Sequence, residues 1–124
     1  MDTYQELKIW SKSKELVALI YQITAVFPAS EQFGITNQIR RSAVSVPSNI
    51  AEGWSRNSTR DFLNFLYIAR GSLAELETQI SISHDLGYIP EHYFLDVHNQ
   101  ITEIGKMING TITPLKQKSL NAKC

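Results

Sequence analysis

The sequence is poor in cysteine and has no long apolar run. Its only cysteine is Cys124, so no disulfide can form within the 124-residue chain. A membrane-spanning helix needs about 18 to 20 consecutive apolar residues, and no stretch approaches that length. The opening residues, Met1 to Glu6, lack the basic and apolar regions of a secretion signal. These absences predict a cytoplasmic protein that does not associate with membranes.

The chain also lacks an excess of charge of either sign. It has 12 Lys and Arg residues against 12 Asp and Glu residues, and its formal net charge is zero. Proteins that neutralise many phosphates are usually basic, so this balance argues against general nucleic-acid binding. The charges are nevertheless segregated: residues 36–72 contain five arginines and two acids, whereas residues 73–99 contain five acids and no Lys or Arg.

The residue patterns of common catalytic and metal sites are missing. The three histidines, His84, His92 and His98, include no pair at the four-residue spacing that holds zinc on a helix. The Glu-x-x-His motif of di-iron bundles is absent, and so is a glycine-rich phosphate loop. No Ser–His–acid arrangement follows from the spacing. We therefore predict a protein that is not an enzyme and that needs no metal or cofactor.

Helical periodicity is the dominant signal that the sequence does contain. Apolar residues recur at steps of three and four along four segments, as on one face of an α-helix. No stretch alternates with a period of two, so no sheet is expected. Four one-sided helices joined by short turns bury their apolar faces against one another. The prediction is an all-α, antiparallel up-down-up-down four-helix bundle. The four apolar stripes are Ile9, Leu16, Ile20, Ile23, Phe27; Ile39, Ala43, Val46, Ile50, Trp54; Phe62, Leu66, Ala69, Leu73, Leu76, Ile80, Ser83; and Phe94, Val97, Ile101, Ile104, Ile108, Ile112, Leu115.

Local capping signals set the predicted helix boundaries. Ser58, with Asp61 three residues later, has the form of a helix N-cap. Gly87 fits a left-handed C-terminal cap, Pro90 fits the first turn of the next helix, and Pro114 ends the last one. We predict one domain over residues 1–124, with helices at about 4–27, 36–56, 59–86 and 90–114 and a polar, frayed tail at 115–124.

A proline interrupts the second predicted helix. Pro47 removes one backbone hydrogen bond and clashes with the carbonyl of Ala43. The apolar spacing nevertheless stays in phase on both sides of it. We therefore expect one helix of about 20 residues, kinked at Pro47, rather than two short helices.

Two long stretches carry a resemblance to a known family. NQIRRSAVSVPSNIAEG (37–53) and FLNFLYIARGSLAELETQI (62–80) resemble the four-helix-bundle proteins encoded in intervening sequences of bacterial 23S ribosomal RNA genes, and residues 4–36 are similar too. That family includes accessory proteins of diversity-generating retroelements, which assist a reverse transcriptase and its RNA. The resemblance implies a ring-shaped homopentamer with no known catalytic activity, and most members of the family have no assigned role.

Four arginines and three glutamates form the candidate binding site. In one interpretation the arginines bind phosphate groups, and in the other they pair with carboxylates between helices or between protomers. A chain reversal near residues 57–58 places residue 40 beside about residue 75. Because the arginine fork suits bidentate carboxylate pairs, this register favours the ion-pair interpretation. The residues are Arg40, Arg41, Arg56 and Arg60, with Glu52, Glu75 and Glu77.

Some apolar and small residues fall outside the core stripes. A monomeric bundle needs only about three apolar positions in seven, so the surplus indicates either a wider core or burial against another copy. Gly71 costs about 1 kcal/mol relative to alanine, which indicates close approach of another backbone, from this chain or a neighbour. The candidate oligomer contacts are Val44, Ala51, Phe65, Ile68 and Gly71.

Together with the resemblance, this surplus surface favours a self-associating protein. The prediction is a homo-oligomeric, pentameric helical scaffold that binds another macromolecule, either protein or RNA. The alternative is an RNA-binding accessory factor of a reverse transcriptase, in which the ring collects dispersed arginines into one basic rim.

Overall fold

Four α-helices make up almost all of the structure, a computed structural model that describes residues 3–122. Two short 3-10 turns, Tyr4–Glu6 and Ala29–Glu31, precede α1 and α2, and residues 3–122 contain no strand. Around the bundle, α2 packs between α1 and α3, and α4 packs between α3 and α1. The helices are α1 (Lys8–Thr24), α2 (Ile35–Ser55), α3 (Thr59–Asp85) and α4 (Glu91–Ala122).

Contacts between consecutive helices show that each runs antiparallel to the one before it. Thr24 at the end of α1 meets Arg40 near the start of α2. Ser42 of α2 bonds Glu75 of α3, whereas Gly53, later in α2, lies beside Phe65, earlier in α3. Leu73 of α3 lies beside Gly105 of α4, whereas Arg70, earlier in α3, bonds Asn109, later in α4. The all-α, up-down-up-down four-helix bundle predicted from periodicity is therefore confirmed.

The predicted apolar stripes form the core. All of their members are buried except Trp54, Phe94 and Leu115, which are partly buried against the same cluster. Leu7, Leu63 and Ile89 complete the core and belong to none of the predicted stripes. Full burial of one large aliphatic side chain stabilises a fold by roughly 1.5–3 kcal/mol, so these stripes dominate the stability of the bundle.

The capping signals occur where the sequence places them. The backbone N–H of Asp61 donates to Ser58 Oγ at 3.2 Å, at the start of α3. Gly87, just after α3, has φ of +81°, the left-handed conformation that glycine adopts without strain. Asn57, in the turn between α2 and α3, also has positive φ, at 66°. Asparagine tolerates this region better than most residues, which suits it to the turn.

Three predicted helix ends differ from the structure by more than one residue: both ends of the first helix and the end of the last. The first predicted helix begins as the Tyr4–Glu6 turn, because Leu7 adopts an extended backbone that buries its side chain, and α1 then ends at Thr24. The last helix does not stop at Pro114 but continues to Ala122. Pro114 removes only one backbone donor, and beyond it Leu115 packs against the core cluster. The rest of the predicted tail, including Cys124, lies outside the described residues.

Pro47 lies inside a single helix, since α2 runs without interruption through it and buries its ring. The expectation of one helix rather than two is thus confirmed. The kink at Pro47 stays a prediction.

Candidate functional site

One outer surface of the bundle brings together several of the predicted site residues, and we call it the α2–α3 face. It follows the sides of α2 and α3 that point away from the core, where Val44 is 39% exposed and Ile68 is 50% exposed. Most of its other side chains are small or absent, which leaves the surface shallow. The α2–α3 face comprises Arg41, Ser45, Ser48 and Asn49 of α2 with Ile68, Gly71, Ser72 and Glu75 of α3, and Val44 lies at its α1 edge, where it lines a groove with Tyr21 and Arg40.

A hydrogen-bonded polar seam joins the two helices along this face. The Ser45 and Ser72 hydroxyls lie 2.8 Å apart. The Asn49 amide donates to both the hydroxyl and the carbonyl oxygen of Ser45, at 2.9 and 2.8 Å. Because a serine-to-serine bond holds the helices together here, the seam occupies little space and leaves room for another surface to approach.

Glu75 is bound by its neighbours in the same seam. Its Oε1 accepts hydrogen bonds from the Ser42 hydroxyl at 3.0 Å and from the Gln79 amide nitrogen at 3.3 Å. The Oε1 of Gln79, which is buried, has no hydrogen-bond partner within residues 3–122. Beside Glu75, a groove of about 470 Å³ runs between α2 and α3 and reaches Arg41.

Arg40 binds α1 rather than α3. Its Nε donates to Thr24 Oγ1 at 2.8 Å, and its guanidinium lies 4.5 Å from the centre of the Tyr21 ring. The predicted pairing of Arg40 or Arg41 with Glu75 or Glu77 is not formed within the described part of the chain. Arg40 points to the α1 side of α2, and Glu77 lines a groove with α4 on the far side of α3. The hairpin register was predicted to within about two residues, but the side-chain directions were not.

Arg56 pairs within its own helix. Its guanidinium donates to Glu52 Oε1 at 2.8 Å, and this hydrogen bond raises the pKa of Arg56. The same guanidinium lies 5.1 Å from the centre of the Phe65 ring, so Phe65 is partly covered. Arg56 and Glu52 are both about half exposed, and such pairs contribute little to stability.

Arg41 and Arg60 are the two predicted site arginines without a hydrogen bond or ion pair inside residues 3–122. Arg41 lies on the α2–α3 face, and Arg60 lies in the first turn of α3, at the other end of α2. Within one copy the four predicted arginines therefore do not form a common patch. One binds α1, one binds its own helix, and the two unpaired ones are separated by most of the length of α2.

The two glycines of the α2–α3 pair differ in what surrounds them. A Cβ on Gly71 would meet nothing within 4 Å, so the interpretation of Gly71 as a close contact inside the chain was wrong. Contact with a neighbouring copy stays a prediction. Gly53 is the close contact instead, because a Cβ there would lie 2.6 Å from Cβ of Phe65. Ala51 and Phe65 are half-buried at the edges of the face.

The histidines lie away from this face, around the start of α4. His84 Nε2 lies 2.6 Å from Glu91 Oε2, and its ring stacks on Phe94 at 3.9 Å between centroids. His98 lies on the far side, 6.1 Å from Phe94. Residues 3–122 contain no group of three or more His, Cys, Asp or Glu side chains placed to hold a metal ion. No helix among these residues has the length and apolarity needed to cross a bilayer.

Comparisons with known proteins agree with the fold and with these sequence stretches. The model of a family described as 23S rRNA-intervening sequence protein matches residues 5–110. A crystal structure from Bacteroides thetaiotaomicron VPI-5482, of a protein with unknown function from the S23 ribosomal protein family, is 28% identical with a TM-score of 0.78. The match covers 85% of this chain and 98% of that one. No curated protein matches the chain.

Proposed function

The chain belongs to the 23S rRNA-intervening sequence protein family, and from that premise we propose that it is a non-enzymatic, homo-oligomeric scaffold that binds another macromolecule. Its copies assemble laterally into a pentamer through the α2–α3 face. A ring of five needs a heterologous contact, so the α2–α3 face of one copy meets a different surface of the next. The observation that carries the proposal is the shallow surface of that face, where Ile68 and, at the α1 edge, Val44 are exposed beside small side chains.

The composition of the face supports burial against protein rather than against water. Ile68 on this face and Val44 at its α1 edge expose large apolar side chains, and the small residues Ser45, Gly71 and Ser72 leave room for close approach. Exposed apolar side chains beside small residues suit a contact with another protein surface. Arg41 adds an unpaired guanidinium at the edge of the patch, where a carboxylate of a neighbouring copy would give it a partner.

Static light scattering coupled to size exclusion tests the lateral assembly. We expect the wild-type protein to have the mass of five copies, and we expect Val44→Asp and Ile68→Asp to reduce it to a monomer, because a charge at a buried contact is costly. Leu95→Asp is the matched control, since Leu95 on α4 is 51% exposed and Ile68 is 50% exposed. A monomeric wild type, or an equal loss of mass with Leu95→Asp, would refute the assembly.

Binding of RNA is the alternative that the two unpaired arginines favour. Arg41 and Arg60 are free to contact phosphates, and a ring would bring five copies of each onto one assembly. Binding of a single-stranded RNA should then weaken steeply with rising salt, and loss of one phosphate contact should lower the log–log slope by about 0.7. Arg41→Ala and Arg60→Ala, at unchanged oligomer mass, measure this directly. No binding at low salt would leave a protein partner as the ligand.

A further inference from the structure

The end of the bundle formed by the α1–α2 and α3–α4 turns exposes several large apolar side chains. Phe33 is 89% exposed, Val26 is 78% exposed and Leu86 is 55% exposed. The two turns lie side by side, because the Tyr88 hydroxyl donates to Glu31 Oε2 at 3.1 Å and the rings of Phe27 and Tyr88 are 5.4 Å apart. A single exposed apolar residue is ordinary, but three at one end of a small bundle form a candidate contact surface.

This end is also acidic, and we call residues 25–34 and 84–91 the acidic end. These two segments contain Glu31, Asp85 and Glu91 and no Lys or Arg. A partner that covers Phe33 must therefore bring positive charge to the rim and an apolar pocket to the centre.

The opposite end of the same chain has both properties. Its basic end, residues 55–60 with residues 113–122, contains Arg56, Arg60, Lys116 and Lys118, which outnumber the two neighbouring acids, Glu52, paired with Arg56, and Asp61. Between the α2–α3 turn and α4, this end has a pocket of about 430 Å³. Its lining includes the aromatic side chains of Trp54 and Phe62, which pack edge to face at 5.5 Å, together with Leu115, Thr59 and Lys118.

We propose that the acidic end of one copy docks onto the basic end of a second copy, with Phe33 inserted into the pocket between Trp54, Phe62 and Leu115. The phenyl ring gains aromatic and aliphatic neighbours in place of water. The carboxylates of Glu31, Asp85 and Glu91 then face Lys118 of the pocket lining and the other basic residues of that end. The molecules stack head to tail along the axis of the bundle.

A second copy is the partner that the charges favour, because both complementary surfaces belong to one chain whose net charge is zero. The two surfaces differ and lie at opposite ends of the bundle, so the contact is heterologous. Each docked copy therefore keeps one unoccupied end to which a further copy can bind. The contact uses neither Val44 nor Ile68, so it is independent of the lateral assembly. In a ring, the contact would repeat once per copy and strengthen through multivalency.

Sedimentation velocity over a range of concentrations tests the stacking. The wild-type sedimentation coefficient should rise with concentration, and Phe33→Ala should weaken this association by about tenfold or more, as for a central aromatic anchor. Lys118→Glu should do the same by reversing a charge at the pocket. Raising the salt from about 0.05 M to about 0.5 M should weaken the wild-type association, since exposed charges are screened. Circular dichroism verifies that both variants keep their helices.

Mixing the two variants gives the sharpest result. In the Ile68→Asp background, which removes lateral assembly, Phe33→Ala copies keep a working pocket and Lys118→Glu copies keep a working Phe33. Mixed in equal amounts they should form pairs and nothing larger, whereas each variant alone stays single. The matched control is Leu95→Ala, which removes an apolar side chain of 51% exposure from α4 outside both ends and should leave stacking unchanged.

Two results would overturn the stacking proposal. One is a wild-type protein whose sedimentation does not change with concentration beyond the lateral assembly. The other is a Phe33→Ala variant that associates as wild type does, which would show that Phe33 is not the contact. Either result would leave the lateral assembly untouched, because that assembly is measured separately with Val44→Asp and Ile68→Asp.

Discussion

Gly53 of α2 is crowded by α3, whereas Gly71 of α3 has open space around it. Substituting each by alanine therefore distinguishes the effect of packing on stability from the effect of helix propensity. A Cβ on Gly53 would lie 2.6 Å from Phe65 Cβ and 3.2 Å from Phe62 Cδ1. Gly53→Ala should therefore lower the free energy of unfolding by about 1–3 kcal/mol, through forced movement of α3. Gly71→Ala, with nothing within 4 Å, should raise it by up to about 1 kcal/mol, since alanine favours the helix.

Calorimetry at a dilute concentration, where lateral assembly is minimal, measures both changes. Opposite signs for the two variants would support the packing difference. Equal destabilisation would mean that helix spacing does not depend on Gly53 in the way that its contacts indicate.

Arg40 and Arg41 are adjacent in sequence but differ in what they bind. Arg40→Ala removes the hydrogen bond to Thr24 and the contact with the Tyr21 ring, so we expect a loss of about 1–2 kcal/mol of stability. Arg41→Ala should change the stability of the single copy by less than about 0.5 kcal/mol, as for a surface residue without partners. Urea unfolding at low protein concentration compares them. A larger loss for Arg41 than for Arg40 would contradict the assignment.

At the scale of the helices, periodicity predicted most of the fold. Residues spaced by three and four lie on one face of a helix, and in each of the four helices that face is buried against the others. The spacing therefore predicted the buried residues. Helix caps depend on residues that are close in sequence, so they were predictable too. The Ser58 N-cap and the left-handed conformation of Gly87 occur where expected. The helix ends at Leu7 and Pro114 were missed because tertiary packing decides them: Leu7 is buried, and Leu115 packs on the core beyond the proline.

The candidate site was less predictable, for a geometric reason. The hairpin register fixed which residues lie level with each other, and Arg40 is indeed close to the level of Glu75. Whether two level residues meet depends on the direction of each side chain around its helix. Arg40 points to α1 and Glu77 lies on the α4 side of α3, and neither direction follows from spacing along one hairpin.

The part of α4 beyond Pro114 can be tested through Leu115. This side chain packs against the core cluster, so Leu115→Ala should lower the free energy of unfolding by about 1 kcal/mol, less than for a fully buried leucine. Lys116→Ala, one residue later on an exposed position, is the control and should have almost no effect. Chemical denaturation followed by circular dichroism measures both. A frayed tail would make the two variants indistinguishable.

The link between the two turns at the acidic end predicts a response to alkaline pH. The hydrogen bond from Tyr88 to Glu31, with some burial, raises the pKa of the Tyr88 hydroxyl above its usual value of 10.0. The folded state therefore favours the protonated phenol. Its contribution to stability is fully present below pH of about 10 and is lost as the pH rises through the raised folded-state pKa.

Thermal unfolding from pH 8 to about 11 should show this loss in the wild-type protein. Tyr88→Phe lacks the hydroxyl, so it should be less stable at pH 8 and should show a shallower decline above pH 10. Parallel curves for the two proteins would mean that the Tyr88–Glu31 bond does not contribute to holding the turns together.

At the scale of the whole molecule, acidic and basic residues that are separated along the sequence also occupy different parts of the folded bundle. The acids of residues 73–99 are dispersed: Glu75 lies in the α2–α3 seam, Glu77 in the groove between α3 and α4, and Asp85 and Glu91 at the acidic end. Asp96 is exposed on α4 and accepts a hydrogen bond from Gln100. The opposite end combines Lys116 and Lys118 of α4 with Arg60 and the Glu52-paired Arg56 from the α2–α3 turn, so it is basic on balance. A neutral chain thus folds into a molecule with oppositely charged ends, for which self-association needs no other charged partner.

Lateral assembly has a thermodynamic consequence that does not depend on knowing the contact atoms. If five copies bind one another only when folded, association stabilises the folded state by mass action. Each tenfold increase in protein concentration should then add about 1 kcal/mol per copy to the free energy of unfolding. For a chain of this length that corresponds to a rise of a few degrees in Tm. Ile68→Asp combined with Phe33→Ala should remove the concentration dependence, because both proposed contacts are then lost, whereas Phe33→Ala alone should keep the part that comes from the lateral contact. A Tm that is constant over a hundredfold range of wild-type concentration would contradict assembly coupled to folding.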